Sequence, residues 1–184
     1  MISRNEALEI VREHVENVNL VRHMLAVEAA MSVYAGKFAE DEERYRVAGL
    51  LHDFDWEIHP SLEQHPQEGA KILRERGVDE EMIRTILSHA DHTGIAREKK
   101  IRKALHACDE VTGFIVAVAL VHPHKKLSEV SMQSLQKKWK TKEFAKGVRR
   151  EEVEKAVQDL GVELWEHIET VHQAMLGIAA DLGL

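Results

Sequence analysis

The sequence predicts an all-α protein that folds as one helical bundle. Apolar residues recur at helical spacing along most of the chain, and no stretch alternates apolar and polar residues as a half-buried strand does. Only three prolines and ten glycines interrupt this pattern in 184 residues. A chain of that length can bury one substantial core and is short for two domains, so we expect a single domain over residues 1–184.

Composition and charge narrow the class of protein. The 25 basic and 32 acidic residues give a net charge of −7, which argues against a general binder of nucleic-acid backbones. No apolar run approaches the roughly 18 residues of a membrane span, and the polar start of the chain does not resemble a secretory signal. The single cysteine, Cys108, excludes an internal disulfide and fits a reducing compartment. We therefore expect a cytoplasmic protein without a membrane partner.

Start and stop signals divide the first half of the chain into five helices. A capping box of Ser3 and Glu6 begins the first. Pro66 takes the favoured first position of the fourth, and Asp79 can cap the fifth. The expected helices cover about residues 3–15, 19–37, 40–51, 66–77 and 79–89.

The second half of the chain is predicted to form one long helix followed by a smaller group of closing helices. The long helix runs from about 97 to 121 and is stopped by His122-Pro123. A basic segment follows at 123–150, and two further helices surround Gly161. Apolar residues four and three apart from Leu164 to Leu182 indicate either a homodimer seam or packing on the chain's own core.

Three polar residues stand where the helical pattern calls for apolar ones: His23, His89 and Asp109. Burying an unpaired carboxylate costs more than a domain can supply, so Asp109 needs a metal ion or a basic partner. Each histidine taken alone is explained more simply as a hydrogen-bonded core residue. The chain nevertheless holds twelve histidines beside only four Phe, three Trp and two Tyr, which is a hint of a metal site.

The order of these residues along the chain carries more information than any one of them. Leu50-Leu51 runs straight into the adjacent pair His52-Asp53, which offers an imidazole and a carboxylate together. With the other histidines and Asp109, the chain resembles the HD superfamily of metal-dependent phosphohydrolases. That family's pattern is a lone histidine, a His-Asp pair and a later aspartate on another helix. The matching segments are 48–53, 65–70, 88–89 and 107–110, inside a core of about 19–115 with an extension at about 123–184.

The resemblance implies a centre of one or two divalent metal ions. The ligands of a first ion would be His23, His52, Asp53 and Asp109. A second ion would add His65 and His89 as ligands, and Asp53 would bridge the two ions. His92 competes with His89 for this place, and helical periodicity favours His89. Imidazole and carboxylate ligands without a thiolate suit Mn²⁺, Fe²⁺, Co²⁺ or Zn²⁺ better than Ca²⁺.

The same resemblance implies hydrolysis of a phosphate ester or nucleotide by a metal-activated hydroxide, with His52 and Asp53 at the reaction centre. Many dinuclear members have Gly-Lys where this chain has Asp55-Trp56, so a lysine that could contact substrate is missing. The Gly-Tyr-Pro motif of the cyclic-dinucleotide branch is absent too.

Three further residues are candidates for substrate contact. Lys126 and Lys138 belong to the basic segment, which either meets phosphate at the mouth of the site or forms a solvated surface. His92 would be an outer-shell acid or a solvent-side residue. Two other functions stay open at this point: a di-iron oxygenase built on the same ligands, and a non-catalytic helical module that binds a ligand or regulates.

Overall fold

The computed structural model describes residues 2–184, and its regular elements over that range are all helical. This confirms the predicted all-α class. The ten α-helices within it are α1 Arg4–His14, α2 Val18–Phe38, α3 Glu42–Leu51, α4 Gln67–Glu75, α5 Glu80–Leu87, α6 Lys100–Leu120, α7 Met132–Trp139, α8 Arg150–Leu160, α9 Leu164–Leu176 and α10 Ala179–Leu182. Single 3₁₀ turns follow α5 at Asp91–Thr93 and α6 at Leu127–Glu129.

Local signals in the sequence set most helix ends. The Ser3–Glu6 capping box begins α1, and the Asp79 side chain accepts from the Met82 backbone N–H at the start of α5. The closing apolar stripe behaves differently from the single helix that its spacing indicated. It is divided at Gly177 into α9 and the one-turn α10.

Helices α2 and α6, each 21 residues long, form the centre of the bundle. They pack on each other, α3 packs on α2, α8 on α6, and α9 on both. The buried face of α9 includes Ile168, Val171 and Met175, so packing within the chain accounts for the apolar stripe. This arrangement brings α2, the end of α3 and the middle of α6 together, and each carries a predicted metal ligand.

The contact between α2 and α3 depends on a glycine three residues before the His-Asp pair. A Cβ added at Gly49 would lie 2.7 Å from Cα and 2.8 Å from the backbone N of Glu28. The Glu28 side chain is buried at this crossing and is paired with Arg4 and Arg46. The two backbones therefore meet directly, which sets His52 against α2.

A buried hydrogen-bonded histidine ties the closing helices to the centre. His167 on α9 lies 2.5 Å from the Tyr34 hydroxyl through Nδ1 and 2.8 Å from the Ala107 carbonyl through Nε2. Burial lowers the pKa of His167 to about 4, so the ring is neutral. Its Nε2–H must then donate to Ala107, and Nδ1 accepts from Tyr34. Ala107 stands two residues before Asp109 on α6, so α9 supports the helix that carries that ligand.

No helix among residues 2–184 is both long enough and apolar enough to cross a bilayer.

The close approach at Gly49 predicts the effect of adding one methyl group there. Gly49→Ala should lower the free energy of unfolding by roughly 1–3 kcal/mol, because backbone rather than a flexible side chain stands in the way. Gly36→Ala is the matched control, since Gly36 lies in α2 and a Cβ there meets nothing within 4 Å. That variant should be unchanged or gain up to about 1 kcal/mol. Chemical denaturation of both variants measures these free energies of unfolding. A Gly49→Ala variant as stable as the parent would contradict the close approach of the two backbones.

Candidate metal centre

The structure brings all six predicted ligands together in two adjoining groups of three. In each group, one candidate ligand atom from every residue lies within 4.8 Å of the others. The groups draw on α2, the turn after α3, the turn before α4, the end of α5 and α6. The first group is His23, His52 and Asp109, and the second is Asp53, His65 and His89.

The first group joins α2, α3 and α6. The Nε2 atom of His23 lies 3.1 Å from both His52 Nε2 and Asp109 Oδ1. His52 Nε2 is 3.5 Å from the same Asp109 oxygen. Two imidazole nitrogens and one carboxylate oxygen thus converge on a single point.

The second group has the same composition. His65 Nε2 and His89 Nε2 are 3.1 Å apart, and they lie 3.4 and 3.3 Å from Asp53 Oδ1. The other oxygen of Asp53, Oδ2, faces the first group, 3.6 Å from His23 Nε2 and 3.5 Å from His52 Nε2. Asp53 therefore presents one oxygen to each group.

The far nitrogens of the histidines are engaged by partners behind the centre. His52 Nδ1 lies 2.8 Å from the Gly49 carbonyl, and His89 Nδ1 lies 2.7 Å from the Ile86 carbonyl. A carbonyl only accepts, so the proton stays on Nδ1 and the Nε2 lone pair faces inward. His23 Nδ1 is 3.3 Å from the Thr112 hydroxyl oxygen, whose own proton goes to a backbone carbonyl of α6.

The inward direction of the histidine Nε2 atoms decides whether a metal ion fits between them. Two Nε2 lone pairs face each other at 3.1 Å in each group, and such pairs repel unless a proton or a cation lies between them. Carboxylate oxygens complete each set, and imidazole with carboxylate is a common ligand set for divalent transition metals. Both groups could therefore hold a metal ion.

The charges of the side chains in the centre also favour a bound cation. Burial alone would lower the pKa of His52, but Asp53 and Asp109 raise it to about 9. Burial works to raise the pKa of the two carboxyls, but the histidines, His52 foremost, bring it below the usual range. The two carboxylates thus stay ionised and attract positive charge to the centre.

A family model for the HD domain matches residues 20–158 of the chain. The chain belongs to the HD domain family. This places it in a superfamily of metal-dependent phosphohydrolases and confirms the resemblance drawn from the sequence. The match extends beyond residue 115, where the resemblance ended, and takes in α7 and most of α8.

Two curated proteins are similar to part of this HD domain. Ribonuclease Y of Oleidesulfovibrio alaskensis is 26% identical over 96 residues, which cover 52% of this chain and 18% of the relative. An uncharacterised protein of Methanocaldococcus jannaschii is 36% identical over 92 residues, covering 47% of this chain and 53% of the relative. The chain thus spans about half of one relative's length and less than a fifth of the other's. No solved structure gives a significant match.

Sequence reasoning missed one residue that acts on this centre. Asp55 was noted only as a departure from Gly-Lys, yet it is buried and its Oδ1 lies 2.8 Å from His65 Nδ1. Its Oδ2 accepts from the Gly69 backbone N–H at 3.0 Å, and a Cβ at Gly69 would lie 2.5 Å from Asp55 Cγ. Asp55 thus orients His65 as a carboxylate partner of a ligating histidine does. The one sequence signal was an acid directly after apolar Phe54.

The three residues predicted to contact substrate lie apart from the two groups. His92 Nε2 is 2.9 Å from the His65 backbone carbonyl, so His92 stands behind a candidate ligand. Lys126 is exposed before the 3₁₀ turn that follows α6, and Lys138 Nζ lies 4.6 Å from the Phe144 ring centre. Two cavities adjoin the centre, one beside His23 and one beside His89 and Asp109, and within residues 2–184 neither lysine lines the second.

A different residue of the basic segment reaches that cavity. Arg149 lines it with His89, His106 and Asp109. The guanidinium is held by two carboxylates: Glu110 Oε1 lies 3.0 Å from Arg149 Nη2, and Glu152 Oε2 lies 2.6 Å from Arg149 Nη1. Nothing in the sequence distinguished Arg149 from the other cations of its segment, because Glu110 is 39 residues away.

The position of Asp55 predicts a selective effect on the second group. In Asp55→Asn, the side chain cannot accept from both Gly69 N–H and His65 Nδ1–H, so the His65 proton is free to move to Nε2. We expect affinity for one metal ion to fall about 10–100-fold while the other ion still binds. Calorimetric titration with Mn²⁺ or Zn²⁺ measures this.

Asp159→Asn is the control, because Asp159 lies on the surface of α8 and pairs with Lys155. It should bind metal like the parent. Two unchanged binding events in Asp55→Asn would refute the role assigned to Asp55.

Proposed function

We propose that this HD domain protein is a metal-dependent phosphohydrolase that cleaves a small phosphate ester or a nucleotide. The observation that carries the proposal is Asp53, whose two oxygens face separate groups of ligands at 3.3–3.6 Å. A carboxylate in that position suits a bridge between two metal ions, the arrangement that many phosphate-cleaving enzymes use.

Each residue of the centre has a role in this proposal. One ion would be held by His23, His52, Asp53 and Asp109, and the other by Asp53, His65 and His89. Mn²⁺, Fe²⁺, Co²⁺ and Zn²⁺ all suit these ligands. When bound, two such ions supply an activated water at neutral pH and offset the negative charge of the phosphoryl oxygens.

The exposure of the side chains supports an open face for substrate. The side chains of His23, Asp53 and Asp109 are 24%, 19% and 22% exposed, whereas His52 is fully buried. Substrate would therefore approach from the side of His23 and Asp109. His52 would act from behind as a ligand.

Arg149 is the residue we assign to phosphate binding. It lines the cavity of about 30 Å³ beside Asp109, where Glu110 holds its Nε and Nη2 and Glu152 holds its Nη1. A phosphate group would take the place of one of these carboxylates, because the fork of donors on an arginine matches two oxygens of one phosphate group. Lys126 and Lys138 remain the alternatives within the same basic segment.

We favour a small substrate over a polynucleotide. One relative is named as a ribonuclease, but it shares only 18% of its length with this chain. The net charge of −7 here disfavours the broad electrostatic contact that a nucleic-acid backbone requires. We also propose a cytoplasmic location, since buried Cys108 is a free thiol.

Removing the proposed bridge should abolish activity. Protein loaded with Mn²⁺ or Co²⁺ should release phosphate from p-nitrophenyl phosphate or from nucleotides, and Asp53→Ala should fall to the background rate. Asp159→Asn should keep the parent rate. Fully loaded parent protein that hydrolyses none of these compounds would contradict the proposal. Oxygen uptake by iron-loaded protein would then point to the oxidative chemistry.

The assignment of Arg149 predicts a change in substrate affinity. Arg149→Ala should lower kcat/KM by about 10–100-fold, because a hydrogen bond to a charged group contributes roughly 1.5–3 kcal/mol. Arg149→Lys keeps the charge without the fork and should recover only part of the loss. Lys126→Ala and Lys138→Ala are the comparison variants. A larger loss in either lysine variant than in Arg149→Ala would move the phosphate contact to that lysine.

A further inference from the structure

A cavity of about 310 Å³ opens beside His23, at the exposed side of the metal centre. We propose that it binds the apolar organic group of a phosphate ester whose phosphate lies at that centre. This inference rests on the proposed function and adds the class of substrate. The lining of the cavity includes Arg22, His23, Gly113, Val116, Leu120 and Leu182.

The cavity continues the two helix faces that carry ligands of the first group. On α6, Gly113 follows Asp109 by one helical turn, and Val116 and Leu120 extend the same face. On α2, Asn19 precedes His23 by one turn. One turn is about 5.4 Å, so the cavity begins within the reach of a single substrate molecule.

Gly113 keeps open the end of the cavity that lies closest to Asp109. A Cβ added there would meet nothing within 4 Å, although Gly113 lies in the interior of a long helix. Glycine is less favourable than alanine in a helix interior by about 1 kcal/mol. The missing side chain leaves room for an occupant between α6 and α2.

The lining chemistry selects an apolar occupant. Val116, Leu120 and Leu182 supply hydrocarbon walls, and Leu120 is 48% exposed in the protein alone. A ligand that covered this surface would gain the usual benefit of removing apolar area from water. The cavity volume falls at the small end of the range for organic ligands.

Arg22 adds a positive charge to this apolar lining. Arg4, Arg44 and Arg149 are paired with carboxylates, whereas Arg22 has no such partner in the described part of the chain. Its guanidinium lies along the backbone of Gly183, where an added Cβ would be 2.5 Å from Nη2. An occupant that is both apolar and anionic, such as an organic phosphate, satisfies the whole lining.

Straight-chain alkylphosphonates test the inference by binding alone. Calorimetric titration of the Mn²⁺-loaded protein with the methyl, butyl and hexyl compounds should show affinity rising about fourfold per methylene. The hexyl compound, which has five more methylenes, should then bind on the order of a thousandfold more tightly than the methyl compound. Equal affinities for the three compounds would overturn the inference.

Two variants separate the apolar and charged parts of the cavity. Gly113→Leu should reduce the hexyl-to-methyl ratio to within a few-fold, because the new side chain fills the space. Gly36→Leu is the control and should keep the parent ratio, since Gly36 is also exposed in a helix and a Cβ added there meets nothing within 4 Å. Arg22→Gln should weaken all three compounds by a similar factor. A Gly113→Leu variant with the full parental ratio would also overturn the inference.

The binding series separates this inference from the proposed function. Chain-length-dependent binding by a protein that hydrolyses no phosphate ester would uphold the cavity and reject the phosphohydrolase. Hydrolysis of phosphate esters by a protein that binds the three alkylphosphonates equally would uphold the phosphohydrolase and reject the cavity.

Discussion

The Asp53 carboxylate between two groups of imidazoles is the interaction on which the rest of this structure depends. Its oxygens lie 3.3–3.6 Å from four inward-facing nitrogens. The carboxylates of Asp53 and Asp109 raise the pKa of His52 to about 9, because both favour a positive charge beside them. A half-buried cluster of this kind is costly unless each polar atom has a partner, and a pair of metal ions would provide one for every inward-facing atom.

The surrounding helices serve to hold those atoms in place. Gly49 lets α3 touch the backbone of α2, which fixes His52 opposite His23. His167 joins α9 to α6 two residues from Asp109. Behind the ligands, backbone carbonyls, Thr112 and Asp55 occupy the second ring nitrogens, so the orientation of each imidazole is determined by the fold itself.

The sequence predicted the helices and the members of the centre because both leave marks that are local or ordered. Helical spacing reports burial, and the order of His52-Asp53 and the other polar residues matched the HD superfamily, whose resemblance implied the ligand set. The roles of Asp55 and Arg149 depend on partners 10 and 39 residues away, which spacing does not reveal. Gly113 likewise gains its meaning only from the space beside it in the folded chain. The contacts assigned to Lys126 and Lys138 stay predictions.

Electron paramagnetic resonance of the protein titrated with Mn²⁺ tests the central claim most directly. A bridge through Asp53 predicts two ions per chain and, at saturation, the spectrum of an exchange-coupled pair. Asp53→Ala should lose that coupled spectrum. Binding of one ion per chain, or of two ions with the spectra of isolated Mn²⁺, would contradict the account.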